Sequence, residues 1–195
     1  MDLPILPQRP TDERAEIASI EWLFGPNWPG MRLIARVVAG DVRLTDSAGQ
    51  PAAAPDASAL LTRAVTVPSA IVDGVWTSHG IGDDRFAFVG LDLLELDGES
   101  LLDVPFQERR RLLESVVEQG PQVRIGPLVK QPLAGWLSGW REAGFDHYLA
   151  WHQNARYHPG EQADDWLRIP IEAAPAPGIL RRVIGSRGPR GRRIR

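Results

Sequence analysis

The chain has 195 residues, of which 43% are hydrophobic and 24% charged, and this is typical of one ordinary globular domain. It contains no cysteine, which excludes disulfide bonds and thiolate metal sites. No apolar run approaches the roughly 18 residues of a membrane span, and the N-terminal segment is too rich in proline for a signal peptide. We therefore expect a soluble, cytoplasmic protein without a membrane partner.

The charge is distributed unevenly along the chain. The net charge is −3, yet the last 15 residues hold seven arginines and no acid, so residues 1–180 carry a net charge of −10. An acidic body with a basic tail predicts an anionic partner for the tail. Only one of the 22 basic residues, Lys130, is a lysine, so a mechanism that needs a lysine nucleophile has one candidate.

The first half of the chain predicts a short helix around residues 12–17 and then mainly strands. Strand patterns, rich in β-branched and aromatic residues, cover residues 20–24, 31–38, 42–45, 70–77 and 85–94. The turn signal Ala39-Gly40-Asp41 joins two of them in a hairpin. Residues 58–64 predict a second short helix.

The second half predicts two longer helices between short strands. Residues 103–118 carry an apolar stripe at helical spacing, with Asp103 as the predicted N-cap and Gly120 as the stop signal. A further helix is predicted over residues 133–144. The remaining strands are predicted over residues 123–126, 145–151 and 166–171. This mixture of hairpins and helices favours an α+β fold.

The segment from Trp22 to Ala35 carries the first sign of a known family. It reads Trp-Leu-Phe-Gly-Pro-Asn-Trp-Pro-Gly-Met-Arg-Leu-Ile-Ala. It resembles the nucleotide-binding segment of bacterial ATP-dependent DNA ligases, in which the run is Trp-x-Phe-Glu-Pro-Lys-Trp-Asp-Gly-x-Arg. The resemblance implies that Asn27 stands where the family lysine attacks the α-phosphate of ATP. An amide nitrogen is not a nucleophile, because its lone pair is delocalised into the carbonyl.

Two central segments likewise match the family at most positions but differ at residues that the family uses for chemistry. Residues 72–77 are similar to the family's Asp-Gly-Glu motif, with Asp73 kept and Val75 in place of the glutamate. Residues 88–101 are similar to the family's Phe-Val-x-Phe-Asp-Leu-Leu segment. There Asp92 is kept, and Leu91 replaces the aromatic ring that stacks on adenine.

The C-terminal motifs depart in the same way. Residues 142–151 resemble the family's Glu-Ala-Gly-x-Glu-Gly-Val-Val-Ala-Lys, with Asp146 for the metal-linked glutamate and Trp151 for the phosphate-binding lysine. Residues 157–160 fit the family's Tyr-x-Pro-Gly. In the last motif Arg168 and Pro170 stand at two lysine positions.

The resemblance extends from residue 22 to residue 169 and implies an α+β nucleotidyltransferase fold of the ATP-grasp-like ligase adenylation type. We expect mainly antiparallel sheets flanked by helices and no OB domain. The predicted organisation is an N-terminal extension at 1–18, a ligase-like adenylation domain at 19–172 and a flexible basic tail at 173–195.

The same resemblance implies a degenerate nucleotide pocket without a catalytic residue. Its predicted members are Asn27, Arg32, Asp73, Val75, Leu91, Asp92, Asp146, Trp151 and Arg168. A surviving pocket would use Arg32, Asp92 and Arg168 for nucleotide; alternatively, Arg32 and Asp92 form a hydrogen-bonded pair that holds the fold.

We expect no cofactor, with ATP and magnesium as the alternative. Asp73, Asp92 and Asp146 are candidate magnesium ligands, but the loss of the acid at Val75 argues against that site. His147, His152 and His158 match no zinc signature. Trp76 and Trp151 either fill the space that ATP would take or belong to a core outside the cleft.

The tail predicts contact with DNA or RNA phosphates, and the alternatives are a solubility tail or the remnant of a linker. Its candidate binding residues are Arg181, Arg182, Arg187, Arg190, Arg192, Arg193 and Arg195.

Three functions follow from these observations. The first is a pseudoenzyme, a non-catalytic ligase-like module near DNA repair. The second is an active ligase-type nucleotidyltransferase, or a nucleotide-binding enzyme, that uses rearranged residues. The third is a protein whose acidic body binds a basic partner.

Overall fold

The structure is a computed structural model that describes residues 5–14, 16–80 and 85–172. Its strands are β1 Arg9–Asp12, β2 Trp22–Pro26, β3 Met31–Val38, β4 Asp41–Thr45, β5 Ser69–Thr77, β6 Ala87–Leu96, β7 Glu99–Ser100, β8 Val123–Ile125, β9 His147–His152 and β10 Gln162–Pro170. Its helices are α1 Pro55–Ala64, α2 Phe106–Val116 and α3 Ala134–Glu142. The predicted α+β class is confirmed.

The strands form two sheets. The smaller has the order β1-β10-β9-β2, and the larger has the order β4-β3-β5-β6-β7 with β8 beside β6. Pairing is antiparallel throughout except between β1 and β10 and between β6 and β8, so the prediction of mainly antiparallel sheets is confirmed. The chain crosses between the sheets in the four residues that separate β2 from β3.

The main core lies between the larger sheet and helices α1 and α2. Leu33 and Val72 of the sheet pack there against Leu61 of α1 and Leu113 of α2. A second core, around Phe24, Trp140 and Tyr148, fixes α3 to the smaller sheet. Helices α1 and α2 therefore pack on one face of the larger sheet, and α3 packs on the smaller sheet.

The β3–β4 hairpin confirms the turn predicted from the sequence. Ala39 and Gly40 both have positive φ, 50° and 85°, as a two-residue turn of type I′ requires. Register pairs Val38 with Asp41 directly across this turn.

Three local predictions are wrong. The helix expected around residues 12–17 is absent from its described residues, because Arg9–Asp12 is instead an edge strand beside β10. Asp103 is not the cap of α2, which begins at Phe106 after Pro105. This helix stops at Val116, well before Gly120, because Val117 bridges to Val65 in extended conformation.

Candidate functional site

The candidate site is a cavity of about 250 Å³ at the junction of the two sheets. Four of the predicted pocket residues line it: Asn27, Arg32, Val75 and Arg168. The N-terminal segment also contributes, since Pro7, Gln8, Arg9 and Pro10 form part of the wall. Asp73, Leu91, Asp92, Asp146 and Trp151 do not line this cavity.

The crossing between β2 and β3 sets the position of Asn27. The Asn27 backbone N–H donates to the His147 carbonyl at 3.1 Å, which ties the start of the crossing to β9. Gly30 ends it with a φ of 146°, and a Cβ there would lie 2.4 Å from the Trp76 carbonyl oxygen. Only glycine fits so close to β5, so this glycine keeps Asn27 at the mouth of the cavity.

Arg32 is bound to Asp73 from the neighbouring strand. Arg32 Nε and Nη2 donate to the two Asp73 carboxylate oxygens at 2.5 and 2.6 Å, and Asp73 is completely buried. Tyr157 Oη donates to Asp73 Oδ2 at 2.6 Å and accepts the Gln8 backbone N–H at 2.9 Å. Burial would lower the pKa of Arg32, but the charge and hydrogen bonds of Asp73 oppose it and leave this pKa raised.

Asp92 has a different arginine as its partner. Arg109 of α2 donates from Nε and Nη2 to the two Asp92 oxygens at 2.9 and 2.7 Å. Its Nη1 donates to the carbonyls of Val104 and Ala155. The alternative prediction of an Arg32–Asp92 pair is therefore wrong: Arg32 pairs with Asp73, and Asp92 pairs with Arg109. Burial raises the pKa of Asp92, the neighbouring Asp73 acts in the same direction, and Arg109 opposes both.

A column of aromatic rings joins these two ion pairs. Trp151 stacks between Phe106 and Trp166. The ring centroids are 5.3 Å apart with an interplanar angle of 12° for Phe106, and 5.9 Å apart with an angle of 21° for Trp166. The Arg109 guanidinium lies 5.7 Å from the Phe106 ring, and the Arg32 guanidinium lies 4.9 Å from the Trp166 ring. Asp73 and Asp92 are cross-strand neighbours on β5 and β6, so the acids, the arginines and the rings form one continuous network, which reaches the cavity wall at Arg32 and Trp166.

Trp151 therefore sits in the core behind the cavity, at the position that the resemblance gives to a phosphate-binding lysine. It is only 6% exposed. Trp76 lies elsewhere, stacked on Phe86 at 5.5 Å beside a separate cavity. Of the two tryptophans that the sequence singled out, neither lines the candidate cavity; Trp28 and Trp166 do.

Leu91, which stands at the position of the ring that stacks on adenine in the resembling family, lies in an apolar cluster. Leu91 packs with Val75 and Val89, and Trp28 packs against this cluster. At Gly25, where the resemblance implies a glutamate, a Cβ would lie 2.7 Å from the Pro127 carbonyl and 3.4 Å from Leu128 and Trp151 side-chain atoms. A glutamate side chain thus has no room at residue 25.

Arg168 lies at the rim of the cavity and binds Asp12. Its Nε and Nη2 donate to the two Asp12 oxygens at 2.7 and 3.1 Å. The hydrogen bond and charge of Asp12 raise the pKa of Arg168, and the same contact lowers the pKa of Asp12. Asp146 lies apart from the cavity, exposed in the residues before β9.

The sequence did not identify most of the partners in this site. The partners of Arg109, Phe106 and Asp12 could not be predicted, because their contacts depend on pairing between distant segments. Tyr157 did stand in a recognisable Tyr-x-Pro-Gly motif, and this was the one available indication of its role. The seven arginines at 181–195 lie outside the described residues.

Neither a cluster of metal ligands nor a membrane-spanning helix occurs in the described residues. They contain no cluster of three or more histidine, aspartate or glutamate side chains that could hold a metal ion. No helix among them is long and apolar enough to cross a membrane.

No family model matches the chain, but individual proteins do. The multifunctional non-homologous end joining DNA repair protein LigD of Mycobacterium tuberculosis is 29% identical over 168 residues, covering 79% of this chain and 22% of that protein. A DNA ligase of Thermococcus onnurineus is 34% identical over 82 residues, covering 40% of this chain and 15% of its own length. The chain thus spans about a fifth of the curated relatives that it matches.

Solved structures give the same result. Mycobacterial DNA ligase D complexed with ATP and MES is 25% identical, with a TM-score of 0.68 over 85% of this chain and 60% of that one. The ligase domain of M. tuberculosis LigD is 26% identical, with a TM-score of 0.67 over 84% and 58%. These similarities confirm the predicted nucleotidyltransferase fold.

Proposed function

We propose that this chain, which is homologous to the adenylation domain of ATP-dependent DNA ligases, is a catalytically degenerate member that forms no lysyl-AMP. Its function is then that of an accessory or nucleic-acid-binding module. One observation carries the proposal: the charged residues kept at the family's catalytic positions are bound by partners within the chain, and the nucleophile position is Asn27.

The first support is the chemistry at residue 27. Covalent adenylation needs an amine that attacks phosphorus, and the carboxamide of Asn27 cannot supply one. The lone lysine, Lys130, is exposed in the loop before α3 and does not line the cavity.

The second support is the poor fit of a nucleoside triphosphate. The resemblance places an aromatic ring against the base at residue 91, but this position is Leu91, which packs with Val75 and Val89. Binding of the phosphates needs free cations. Of the three arginines on the cavity wall, Arg32 is bound to the buried Asp73 and Arg168 to Asp12, and Arg9 donates to the Gly160 carbonyl.

The third support concerns partners. The LigD relatives are named for non-homologous end joining and DNA repair, and the basic residues 181–195 suit phosphate contacts. We extend the proposal to DNA or RNA binding through these arginines, with residues 19–172 as the ligase-like domain that carries them. In that case deletion of residues 181–195 abolishes a mobility shift of labelled DNA, and a shift that survives the deletion argues against the tail's role.

The test of the proposal is incubation with radiolabelled ATP and magnesium, followed by denaturing electrophoresis. Wild-type protein is expected to carry no label. The variant Asn27→Lys is the sharper comparison: we expect it to remain unlabelled too, because the adenine side and the phosphate positions stay altered. A stable protein–AMP adduct on the wild-type chain would overturn the proposal.

One alternative has an observation in its favour. The cavity of about 250 Å³ keeps Asn27, Arg32 and Arg168 on its wall, which suits an enzyme or nucleotide-binding protein that uses rearranged residues. Calorimetry with ATP and magnesium separates the two functions. Saturable binding without an adduct favours this alternative.

A further inference from the structure

Arg168 holds its acidic partner in the geometry that arginine uses for phosphate. Two parallel N–H donors meet the two oxygens of Asp12 at 2.7 and 3.1 Å. A carboxylate and a phosphate present such an oxygen pair in the same way to a guanidinium. The Arg168 fork is therefore a preformed oxyanion site whose present occupant is a side chain of the same protein.

Of the two arginines on the cavity wall that pair with an aspartate, Arg168 is the one that can exchange its partner more easily. In the Arg32–Asp73 pair the side chains are 20% and 0% exposed, so the carboxylate is inaccessible to water. In the Arg168–Asp12 pair the side chains are 42% and 70% exposed. Water and ions reach this rim, so an external anion competes there without unpacking the core.

The N-terminal strand keeps Asp12 in place beside Arg168. Strand β1 pairs in parallel with β10, and its register sets Asp12 opposite Arg168. The Glu13 backbone N–H donates to the Arg168 carbonyl at 3.0 Å, and upstream the Gln8 N–H donates to Tyr157 Oη. A carboxylate held by its backbone next to the guanidinium has a high effective concentration.

We propose that Asp12 is an autoinhibitory anion, which occupies an oxyanion site at the Arg168 rim and competes there with phosphate-bearing ligands. The proposal deepens the proposed function and rests on it, because it explains how the degenerate cleft rejects phosphate. Displacement of strand β1, or loss of the Asp12 charge, opens the site. The ligand class is a phosphate oxyanion, supplied by a nucleotide or by the 5′-phosphate of a nucleic-acid end.

The test uses the full chain and inorganic tripolyphosphate, titrated by calorimetry at low ionic strength. Asp12→Asn is expected to bind about two- to fivefold tighter than the wild type, the scale of an exposed ion pair. Asp41→Asn, which removes one exposed acid at the β3–β4 hairpin, controls for net charge and is expected to bind like the wild type. Adding Arg168→Gln to Asp12→Asn is expected to abolish the gain.

Three results overturn the proposal. The first is equal affinity, or no binding, in the wild type and Asp12→Asn. The second is an equal gain in affinity in Asp41→Asn, and the third is a gain that persists without Arg168.

The source of the oxyanion is then distinguished with a short single-stranded DNA and the same strand carrying a 5′-phosphate. A preference of Asp12→Asn for the phosphorylated strand identifies a nucleic-acid end, and its absence beside tripolyphosphate binding identifies a nucleotide-type ligand. The adduct assay with ATP tests the proposed function separately, because it scores covalent chemistry and not anion affinity.

Discussion

Two arginine–aspartate pairs in this protein have nearly the same geometry and opposite surroundings. Arg109 and Asp92 meet in the interior, where their side chains are 2% and 7% exposed, whereas Arg168 and Asp12 meet at the cavity rim with 42% and 70% exposure. Both are bidentate at ordinary distances. Burial, not hydrogen-bond geometry, therefore distinguishes the pair that holds the fold from the pair that water and ions can reach.

The interior pair matters because its neighbours depend on it. Arg109 touches Asp92, two backbone carbonyls and the Phe106 ring, and through the aromatic column it is linked to Arg32 and Asp73. Asp73, Asp92 and Trp151, which the resemblance assigns to the nucleotide pocket, thus belong to the packed interior of this protein.

The largest expected effect is loss of the interior cation. Arg109→Leu leaves the Asp92 carboxylate buried without its partner, and we expect the free energy of unfolding to fall by about 3–5 kcal/mol. Chemical denaturation followed by circular dichroism measures it. Arg111→Leu is the matched control on the same helix, since Arg111 is 68% exposed and bound only to Glu108 at the surface. If both variants unfold at the same denaturant concentration, the contrast between interior and rim is wrong.

The second expected effect extends the comparison to pH. Tyr148 and Tyr157 are the only tyrosines in the chain. Burial raises the pKa of Tyr148 to about 12, and burial together with the Asp73 charge raises that of Tyr157 well above its ordinary 10. The pKa of each tyrosine is therefore higher in the folded protein than in the unfolded chain. The contribution of the two tyrosines to the free energy of unfolding is then complete below pH 10. This stabilising contribution is lost as the pH rises through the pKa values of the folded protein.

Absorbance of tyrosinate at alkaline pH checks this expectation. In the folded protein we expect almost no ionisation at pH 10 to 11, and in denaturant both tyrosines should titrate near their ordinary pKa of about 10. Tyr157→Phe assigns the later part of the curve. A folded protein in which one tyrosine ionises at its ordinary pKa would mean that the interior network is open to water.

The sequence predicted features that depend on neighbouring residues and missed those that join distant ones. The β3–β4 hairpin followed from Ala39-Gly40-Asp41 alone, and the framework motifs placed Asn27, Arg32 and Val75 at one cleft. Strand β1 was missed because four residues that include Pro10 carry no strand pattern, and their extended form comes from pairing with β10. The Arg32–Asp92 prediction failed because two acids lie side by side on β5 and β6, and the choice between them is made by Arg109 from α2.

The smallest expected effect is at the rim, and it completes the contrast. Arg168→Gln removes a cation of the same type and bidentate geometry as Arg109, but water solvates the Asp12 carboxylate that it leaves behind. We therefore expect the thermal unfolding midpoint to stay within error of the wild type, measured beside Arg109→Leu. A shift as large as that of Arg109→Leu would make the rim pair part of the fold. The Asp12 side chain could then not leave Arg168, and the exchange on which the autoinhibitory proposal depends would be excluded.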